Sequence, residues 1–283
     1  MTGVEIALTA AAVVAGVLLL LCAIALFMIF PALRRHPDRK LFRGKCIAHR
    51  GLHGVNAGAD GGPVPENSLK AFELAAAGGF PIETDVHLTA DGKAVVFHDD
   101  DLERMCGVRG RPEDHTLEEL RSMRLGGTDE TVPSLEEVLA AVGGRVPLLI
   151  EFKCLDLKTC DALCESASKL LDAYGGPYAI QSFFPFVPRW YKKNRPAVMR
   201  GQLSSGFYRE SFIRKLAGAM MYDFLARPDF VAYDCANCGN VFFRLCGKLG
   251  AMKLGWTFRD SGTFKSRKKY FDGYIFEGKE TVQ

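Results

Sequence analysis

The stretch 46–104 contains four residues of the types that bind divalent metal ions and transfer protons, namely His49, Glu83, Asp85 and His98. Side chains alternate across a β-strand, so the alternating segment 81–89 places Glu83, Asp85 and His87 on one face. Two carboxylates about 7 Å apart along a strand repel each other unless a cation lies between them. Hard oxygen ligands favour Mg²⁺ or Ca²⁺. We therefore predict a divalent metal site on this strand.

A turn signal at 91–92 (Asp-Gly) separates two apolar runs and predicts a β-hairpin. So short a connection requires antiparallel strands, and the second strand is predicted at 93–98. Two registers are open, and they place His98 opposite either Asp85 or Thr84. Either register brings a proton donor or acceptor beside the predicted metal.

A second charged pair, Glu151 and Lys153, lies in an otherwise apolar segment, 147–153, that is predicted to be a strand. The two residues are two positions apart, so they share one face of that strand. Charges in so apolar a strand are costly unless they are paired or ligated. A structural ion pair and a functional role are both compatible with this pattern.

Several short motifs follow one another along 49–104. They are His49-Arg50-Gly51, Pro65-Glu66-Asn67-Ser68 with Ala71-Phe72, Glu83 and Asp85, Thr89 with Asp91-Gly92, Val95-Val96, His98-Asp99, Leu102 and Arg104. In this order they resemble the glycerophosphodiester phosphodiesterase family. A lone His-Arg-Gly would be weak evidence, but the ordered set is specific. The resemblance continues at 149–153, 181–183 and 255–257, so it extends over most of the chain from Lys45 onward, and it becomes thinner after Phe183.

The resemblance implies roles for individual residues. His49 and His98 are expected to be the general acid and base, an assignment that suits imidazole near neutral pH. Which histidine plays which role is left open. The expected metal ligands are Glu83, Asp85 and Glu151. Arg50 and Lys153 are expected to contact the phosphate, and Trp256 is a possible substrate contact. One divalent cation, Mg²⁺ or Ca²⁺, is the expected cofactor.

The implied reaction is metal-dependent hydrolysis of a glycerophosphodiester to glycerol 3-phosphate and an alcohol. The substrate is expected to be a small-molecule or lyso-lipid phosphodiester. Two alternatives stay open: a lysophospholipase D that acts on lyso-lipids, and a catalytically silent, membrane-tethered binding module. The intact set of site residues argues against the silent module.

Two segments depart from the family pattern. The family's Trp-Thr-x-Asn reads Trp256-Thr257-Phe258-Arg259, and its terminal Gly-Ile-x-Thr-Asp reads Gly273-Tyr274-Ile275-Phe276-Glu277. We expect these changes to affect the far side of the active-site mouth, and thus the leaving-group preference more than the core chemistry. Glu66, Asn67 and Ser68 are interpreted as residues that initiate and cap a helix rather than as catalytic residues.

Alternating strand and helix signals continue to the end of the chain. About eight βα units indicate a parallel sheet, and they suit an α/β fold of the (β/α)₈ TIM-barrel type. Because the hairpin return adds a ninth strand segment, we predict a distorted barrel with a β-hairpin after the second strand. Barrels of this type carry their active sites at the carboxyl ends of the strands.

The N-terminal segment carries no charge from residue 6 to residue 30. As a helix it would be about 37 Å long, which is enough to cross a hydrocarbon core of about 30 Å. We predict a transmembrane helix at 4–33, a basic linker at 34–44 and a barrel domain at 45–283. A cleaved signal peptide is the alternative, but the segment lacks a basic start and is long for one.

Basic residues flank this helix on its C-terminal side only. By the positive-inside rule, a single-pass membrane protein with a cytoplasmic catalytic domain is expected. The net charge of +3 gives no indication of nucleic-acid binding. Nine cysteines form no regular disulfide framework, which favours reduced thiols, Cys235 and Cys238 included. The sequence does not indicate an oligomeric state.

Overall fold

The computed structural model describes residues 2–58, 61–154, 156–206 and 211–282. The strands within these residues are β1 Cys46–His49, β2 Ile82–Leu88, β3 Ala94–Val96, β4 Leu148–Phe152, β5 Tyr178–Ser182, β6 Met199–Ser204, β7 Phe230–Asp234, β8 Met252–Phe258 and β9 Gly273–Phe276. The α-helices are α1 Gly3–Ile29, α2 Leu69–Ala77, α3 Glu103–Cys106, α4 Leu117–Arg121, α5 Leu135–Val142, α6 Leu157–Ala173, α7 Phe186–Asn194, α8 Phe212–Gly218, α9 Asp223–Ala226, α10 Val241–Lys248 and α11 Ser261–Arg267. Short 3₁₀ helices include Pro37–Leu41 and Lys268–Tyr270.

The strands form a closed barrel. Neighbouring strands pair in parallel in the order β1, β9, β8, β7, β6, β5, β4, β2, and a β1–β2 pairing closes the ring. β3 pairs antiparallel with β2 on its outer edge and is not part of the ring. The predicted (β/α)₈ barrel with an added hairpin is therefore confirmed.

The hairpin adopts one of the two predicted registers. Val86 lies opposite Val96, which is the register that directs His98 toward Thr84 rather than Asp85. β3 ends at Val96, so His98 lies on the segment that leaves the hairpin. The N–H of Phe97 still donates to the carbonyl of Asp85, at 3.2 Å. The hairpin thus holds His98 beside the carboxylates of β2.

Apolar side chains fill two layers. One layer lies between the outer face of the barrel and the helices, and includes Phe72, Val86 and Ile150. The other layer consists of Phe42, Ile47, Leu149, Ala179, Met199, Leu203, Phe230, Ala232, Met252, Leu254 and Ile275. Several of these are inward-facing strand residues. We call the end of the barrel where the strands begin the base, and the opposite end the mouth.

Phe42 closes the base. Its side chain is fully buried in the interior layer, and its carbonyl oxygen lies against Gly273, the first residue of β9. A Cβ at Gly273 would come within 2.6 Å of that oxygen, so only glycine fits there. Arg39 is buried beside Phe42 and donates to the carbonyl of Asp229, just before β7. The predicted linker 34–44 therefore packs on the base, and not all of its basic residues are free in solvent.

The helix α1 joins the barrel at the base. The guanidinium of Arg227 donates to the carbonyls of Phe27 and Phe30, at 2.7 and 2.8 Å. Ala32 N–H donates to the carbonyl of Pro228. Within the described part of α1, Ile29 is the buried residue, and nearly all of the helix before its last two turns is exposed. By length and composition, α1 is able to span a membrane.

Candidate active site

The predicted functional residues converge because they follow the carboxyl ends of neighbouring parallel strands. His49, the last residue of β1, lies in register with Glu83 of β2. Asp85, also on β2, lies in register with Glu151 of β4. A cavity of about 80 Å³ at the mouth is lined by all of the predicted site residues except Asp85, namely His49, Arg50, Glu83, His98, Glu151, Lys153 and Trp256. Asp85 lies beneath it, fully buried.

Three carboxylates form the floor of the site. One oxygen from each of Glu83, Asp85 and Glu151 lies within 4.8 Å of the other two, and the residues are 2 %, 0 % and 6 % exposed. Burial raises the pKa of Glu83 well above its ordinary value and that of Glu151 to about 7. Burial alone would also raise the pKa of Asp85, but Lys153, His98 and Arg50 hold it well below its usual range. Carboxyl groups this close retain protons unless a further positive charge joins them.

This carboxylate group fits a small divalent cation. Its donors are hard oxygens contributed by two adjacent strands, which is the ligand type that Mg²⁺ and Ca²⁺ prefer. Lys153 Nζ lies 2.6 Å from Glu151 and 3.1 Å from Asp85. Even so, Asp85 Oδ1 is a buried acceptor that receives no well-oriented hydrogen bond from the described residues. The site therefore has acceptor capacity that a cation can use.

Both histidines are backed by a carboxylate, and each carboxylate is backed by an arginine. His49 Nδ1 donates to Glu277 Oε1 at 2.7 Å, and Glu277 pairs with Arg259 at 2.8 Å. In the same way, His98 Nδ1 donates to Asp99 Oδ1 at 2.7 Å, and the guanidinium of Arg104 pairs with Asp99. Because a carboxylate accepts the Nδ1 proton, Nε2 of each imidazole carries the lone pair.

Burial sets the charge state of both imidazoles. It lowers the pKa of His49 to about 4, although the hydrogen bond to Glu277 acts in the opposite direction. It also lowers the pKa of His98, against the attraction of Asp85. Each ring is therefore neutral at pH 7 and available as a proton acceptor at Nε2.

The His-Arg-Gly motif places its arginine by an unusual backbone conformation. Arg50 has φ of 56° and Gly51 has φ of 81°, and the Arg50 N–H donates to Glu83 Oε2 at 3.3 Å. A Cβ on Gly51 would come within 2.7 Å of the Ala71 carbonyl carbon, so glycine is required for α2 to approach. The Arg50 guanidinium lies 2.7 Å from Glu66 and 3.7 Å from Asp85.

The helix-initiation interpretation is correct for Ser68 alone. Ser68 caps α2, since its Oγ accepts from the N–H of Ala71. Asn67 instead donates from Nδ2 to Asp85 Oδ2 at 3.0 Å and accepts from Thr84. Glu66 pairs with both Arg50 and Arg104. The family motif was the signal that could have assigned these two residues to the site.

The two departures from the family pattern lie together in the structure. Arg259 and Glu277 form an ion pair with each other, and Glu277 contacts His49 directly. The expectation that they lie only on the far side of the mouth is therefore wrong for Glu277. Gln181, the first residue of the family-like segment 181–183, donates to Glu83 Oε1 at 3.3 Å. These supporting contacts join residues far apart in sequence, so spacing could not reveal them.

An aromatic pair borders the cavity. Phe183 packs against Trp256 edge to face, with ring centroids 5.7 Å apart. The indole Nε1 of Trp256 is buried and has no hydrogen-bond partner among the described residues. This donor is consistent with the predicted substrate contact of Trp256.

Comparison with known proteins identifies relatives of this chain. The model of the glycerophosphoryl diester phosphodiesterase family matches residues 49–166. The chain is 38 % identical over 116 residues to a glycerophosphodiester phosphodiesterase of Bacillus altitudinis, covering 38 % of this chain and 44 % of that protein. It is 30 % identical over 162 residues to the lysophospholipase D GDPD1 of Rattus norvegicus, covering 53 % and 48 %. The chain thus spans about half the length of the curated relatives it matches.

The fold is also that of solved phosphodiesterases. A phosphodiesterase of Oleispira antarctica, solved in complex with the product sn-glycerol-3-phosphate, superimposes with a TM-score of 0.70. The superposition covers 86 % of this chain and 96 % of that one, at 22 % sequence identity. This likeness establishes the shared barrel.

Proposed function

Because the chain belongs to the glycerophosphodiester phosphodiesterase family, we propose that it hydrolyses glycerophosphodiesters to glycerol 3-phosphate and an alcohol. The observation that carries the proposal is the grouping of three buried carboxylates and two carboxylate-backed histidines around one cavity. A phosphodiester needs charge neutralisation, activation of a nucleophile and protonation of a leaving alkoxide. The cavity contains side chains for each of these tasks.

Glu83, Asp85 and Glu151 would hold one Mg²⁺ or Ca²⁺, which when bound neutralises charge that develops on the phosphate. Arg50 and Lys153 line the cavity beside the carboxylates and would contact phosphate oxygens. Asn67 and Gln181 orient the carboxylates through direct hydrogen bonds. A phosphate held by these groups would lie in the cavity that both imidazoles line.

The histidines would move the protons. Nε2 of one imidazole takes the proton of the attacking hydroxyl, which comes from water or from the glycerol moiety of the substrate. The other imidazole first takes up a proton from solvent at Nε2, and it gives this proton to the alkoxide as the bond from phosphorus to the leaving oxygen breaks. Glu277 and Asp99 hold the two rings in the required tautomer and stabilise each imidazolium.

The direct test is hydrolysis of glycerophosphocholine by the full chain in detergent, with Mg²⁺, with Ca²⁺ and with EDTA. We expect metal-dependent release of glycerol 3-phosphate that is lost in His49→Ala and His98→Ala. His115→Ala is the matched control, because His115 lies outside the cavity lining. Turnover that survives EDTA and both substitutions would contradict the proposal. Metal binding without turnover of any diester would support the silent binding module.

A change of leaving group assigns the two histidines. A p-nitrophenyl phosphodiester of glycerol releases a weakly basic phenolate that does not need a general acid. The variant that lacks the acid should recover much of its activity on this substrate, whereas the variant that lacks the base should not. Equal recovery of both variants would contradict a division of roles.

Lysophospholipase D activity is the second candidate, favoured by the GDPD1 relative and by the Phe183–Trp256 pair beside the cavity. Release of choline and lysophosphatidic acid from lysophosphatidylcholine, with no turnover of glycerophosphocholine, would move the assignment there.

We further propose that α1 anchors the chain as a single-pass membrane helix within 4–33, followed by the linker 34–44 and the barrel domain 45–283, with the barrel in the cytoplasm. The apolar, exposed surface of α1 and the basic residues after it support this arrangement. Resistance to carbonate extraction, with cleavage of the barrel by protease only in inside-out vesicles, is the expected result.

A further inference from the structure

A second groove, which we call the basic groove, lies at the base of the barrel. It has a volume of about 280 Å³, and its lining consists of Arg244, Gly247, Lys248, Lys253, Lys269 and Tyr270. Lys248 ends α10, Lys253 is the second residue of β8, and Lys269 lies in the 3₁₀ helix before β9. These positions place the groove at the end of the barrel opposite the candidate active site.

The four cations of the basic groove have no carboxylate partners. In the described part of the chain, none of Arg244, Lys248, Lys253 and Lys269 forms an ion pair, and no acidic residue lines the groove. Lys253 Nζ lies 6.0 Å from the centroid of the Phe243 ring, and Lys269 Nζ lies 5.3 Å from that of Tyr270. Like charges gathered in one groove create a positive potential that an anion relieves.

Gly247 helps to build the groove. A Cβ at this position would come within 2.6 Å of Lys253 Cδ, so its absence lets the lysine stem lie against α10. Lys253 thereby lines the groove together with Lys248 of α10 and Lys269 of the 3₁₀ helix at 268–270. The groove is thus shaped by packing as well as by charge.

The groove also lies next to the point where α1 leaves the domain. Cys246 Sγ is 3.4 Å from the carbonyl oxygen of Ile29, at the end of α1. Cys246 stands between Arg244 and Lys248 on α10. Arg244 and Lys248 are each two residues from Cys246, so they lie within about 3 Å of it along the helix axis but on the opposite, exposed side of α10. The end of α1 is thus about one helix diameter, about 10 Å, from the groove, and a bilayer that contains α1 would bring its headgroups within reach of these long side chains.

We propose that the basic groove binds the phosphate of an anionic membrane lipid and seats the base of the barrel on the bilayer. The proposal rests on the membrane anchoring proposed above, and not on the hydrolytic activity. Free phosphate shares the same chemistry, but the proximity of α1 selects the lipid headgroup as the occupant. In this arrangement the mouth faces away from the bilayer, so that substrate enters from water.

The test is native mass spectrometry of the full chain in detergent with equimolar phosphatidylglycerol and phosphatidylcholine. We expect preferential retention of phosphatidylglycerol. In Lys248→Gln/Lys269→Gln the retained fraction should fall by about fivefold for each lysine removed. Lys158→Gln/Lys169→Gln, which removes two exposed lysines of α6, is the matched control and should retain lipid as the wild type does. Unchanged hydrolysis of glycerophosphocholine verifies that each variant is folded.

Several outcomes would overturn the proposal. Equal retention of the two lipids, or equal losses in both double variants, would exclude a specific site. Displacement of phosphatidylglycerol by millimolar inorganic phosphate would identify a site for free phosphate instead. If carbonate extracts the wild-type chain from membranes, both the proposed membrane anchoring and the proposed lipid binding in the groove are refuted. If the chain is inserted but shows no lipid preference, only the proposal of lipid binding in the groove is refuted. Neither outcome bears on the proposed hydrolytic activity.

Discussion

The mouth and the base of the barrel are built from the opposite ends of the same strands, yet their charged side chains differ in burial and in pairing. At the mouth, Glu83, Asp85 and Glu151 are buried and compensated by neighbouring cations. At the base, Phe42 fills the interior, and the lysines of the basic groove lie on the outside without carboxylate partners. Burial with compensation suits chemistry, because it holds reactive groups in fixed positions. Unpaired charges near the surface suit attachment.

Compensation at the mouth is incomplete in a way that indicates the cofactor. Three carboxylates face two nearby cations, Arg50 and Lys153, so the fully ionised group keeps one negative charge in excess. Burial and, to a smaller extent, repulsion from Asp85 raise the pKa values of Glu83 and Glu151. A divalent cation removes the excess charge without a proton, whereas the interior of the base requires no such ion.

Removing one charge from the mouth should produce the largest effect. In Asp85→Asn, we expect kcat/KM for glycerophosphocholine to fall by about a thousandfold or more, which corresponds to about 4 kcal/mol of transition-state stabilisation. The reason is that Asp85 is the carboxylate that stays ionised beside Lys153. Steady-state kinetics at saturating Mg²⁺, together with calorimetric Mg²⁺ titration, measure the effect. Asp161→Asn on α6 is the control, and activity within tenfold of wild type in Asp85→Asn would exclude it as a ligand.

Opening the base should affect stability and leave the chemistry intact. Phe42→Ala removes a fully buried ring, and we expect the free energy of unfolding to fall by about 3–5 kcal/mol. Because the mouth is built from the other strand ends, kcat per folded molecule should not change. Thermal unfolding and active-site titration measure the two quantities.

Phe212→Ala is the control for Phe42→Ala, since Phe212 is 73 % exposed and its truncation leaves no cavity. A loss of kcat in folded Phe42→Ala protein would show that the two ends of the barrel are coupled.

The sequence predicted the elements of the mouth better than those of the base. Alternation in 81–89 placed Glu83 and Asp85 on one face, and that face points into the site. A strand pattern is local, so it can be detected without knowledge of the fold. The contact between His49 and Glu277 joins β1 to the residue after β9, and no local pattern reports it.

The base was harder to predict because its parts come from segments with weak periodicity. The short helices α8 and α9 were not predicted, and the packing of Arg39 and Phe42 depends on contacts with β7 and β9. The basic groove likewise combines residues of α10, β8 and a 3₁₀ helix that are adjacent only in the folded chain.

Removing the carboxylate that orients His49 should have a smaller effect than Asp85→Asn. In Glu277→Gln, an amide replaces the carboxylate that accepts from His49 Nδ1, and we expect kcat to fall by about 10- to 100-fold with KM nearly unchanged. Arg259→Gln should lower kcat by a smaller factor, because the Arg259 side chain is 64 % exposed. Separate determination of kcat and KM tests this role. A change confined to KM would assign Glu277 to substrate binding rather than to the orientation of His49.

The smallest effect is expected at the base, where one buried acid lacks compensation. Asp223 of α9 is fully buried, its Oδ1 has no hydrogen-bond partner among the described residues, and Cys246 Sγ lies 3.4 Å from its Oδ2. Burial raises the pKa of Asp223 well above the unfolded value of 3.8, against the attraction of Arg227. The folded state therefore binds this proton more tightly than the unfolded state. The resulting stability is fully present below pH 3.8 and is lost as the pH rises through the folded pKa.

Asp223→Asn keeps the neutral form at every pH. We expect this variant to gain about 1 kcal/mol over the wild type at pH 8, with the gain shrinking as the pH falls toward 4. Thermal unfolding of the full chain in detergent at several pH values measures the difference, and Asp129→Asn, at an exposed site, provides the baseline. A gain that is constant with pH would mean that Asp223 titrates alike in both states. In that case the base would be compensating its buried charge as the mouth does, and the contrast between the two ends of the barrel would have to be abandoned.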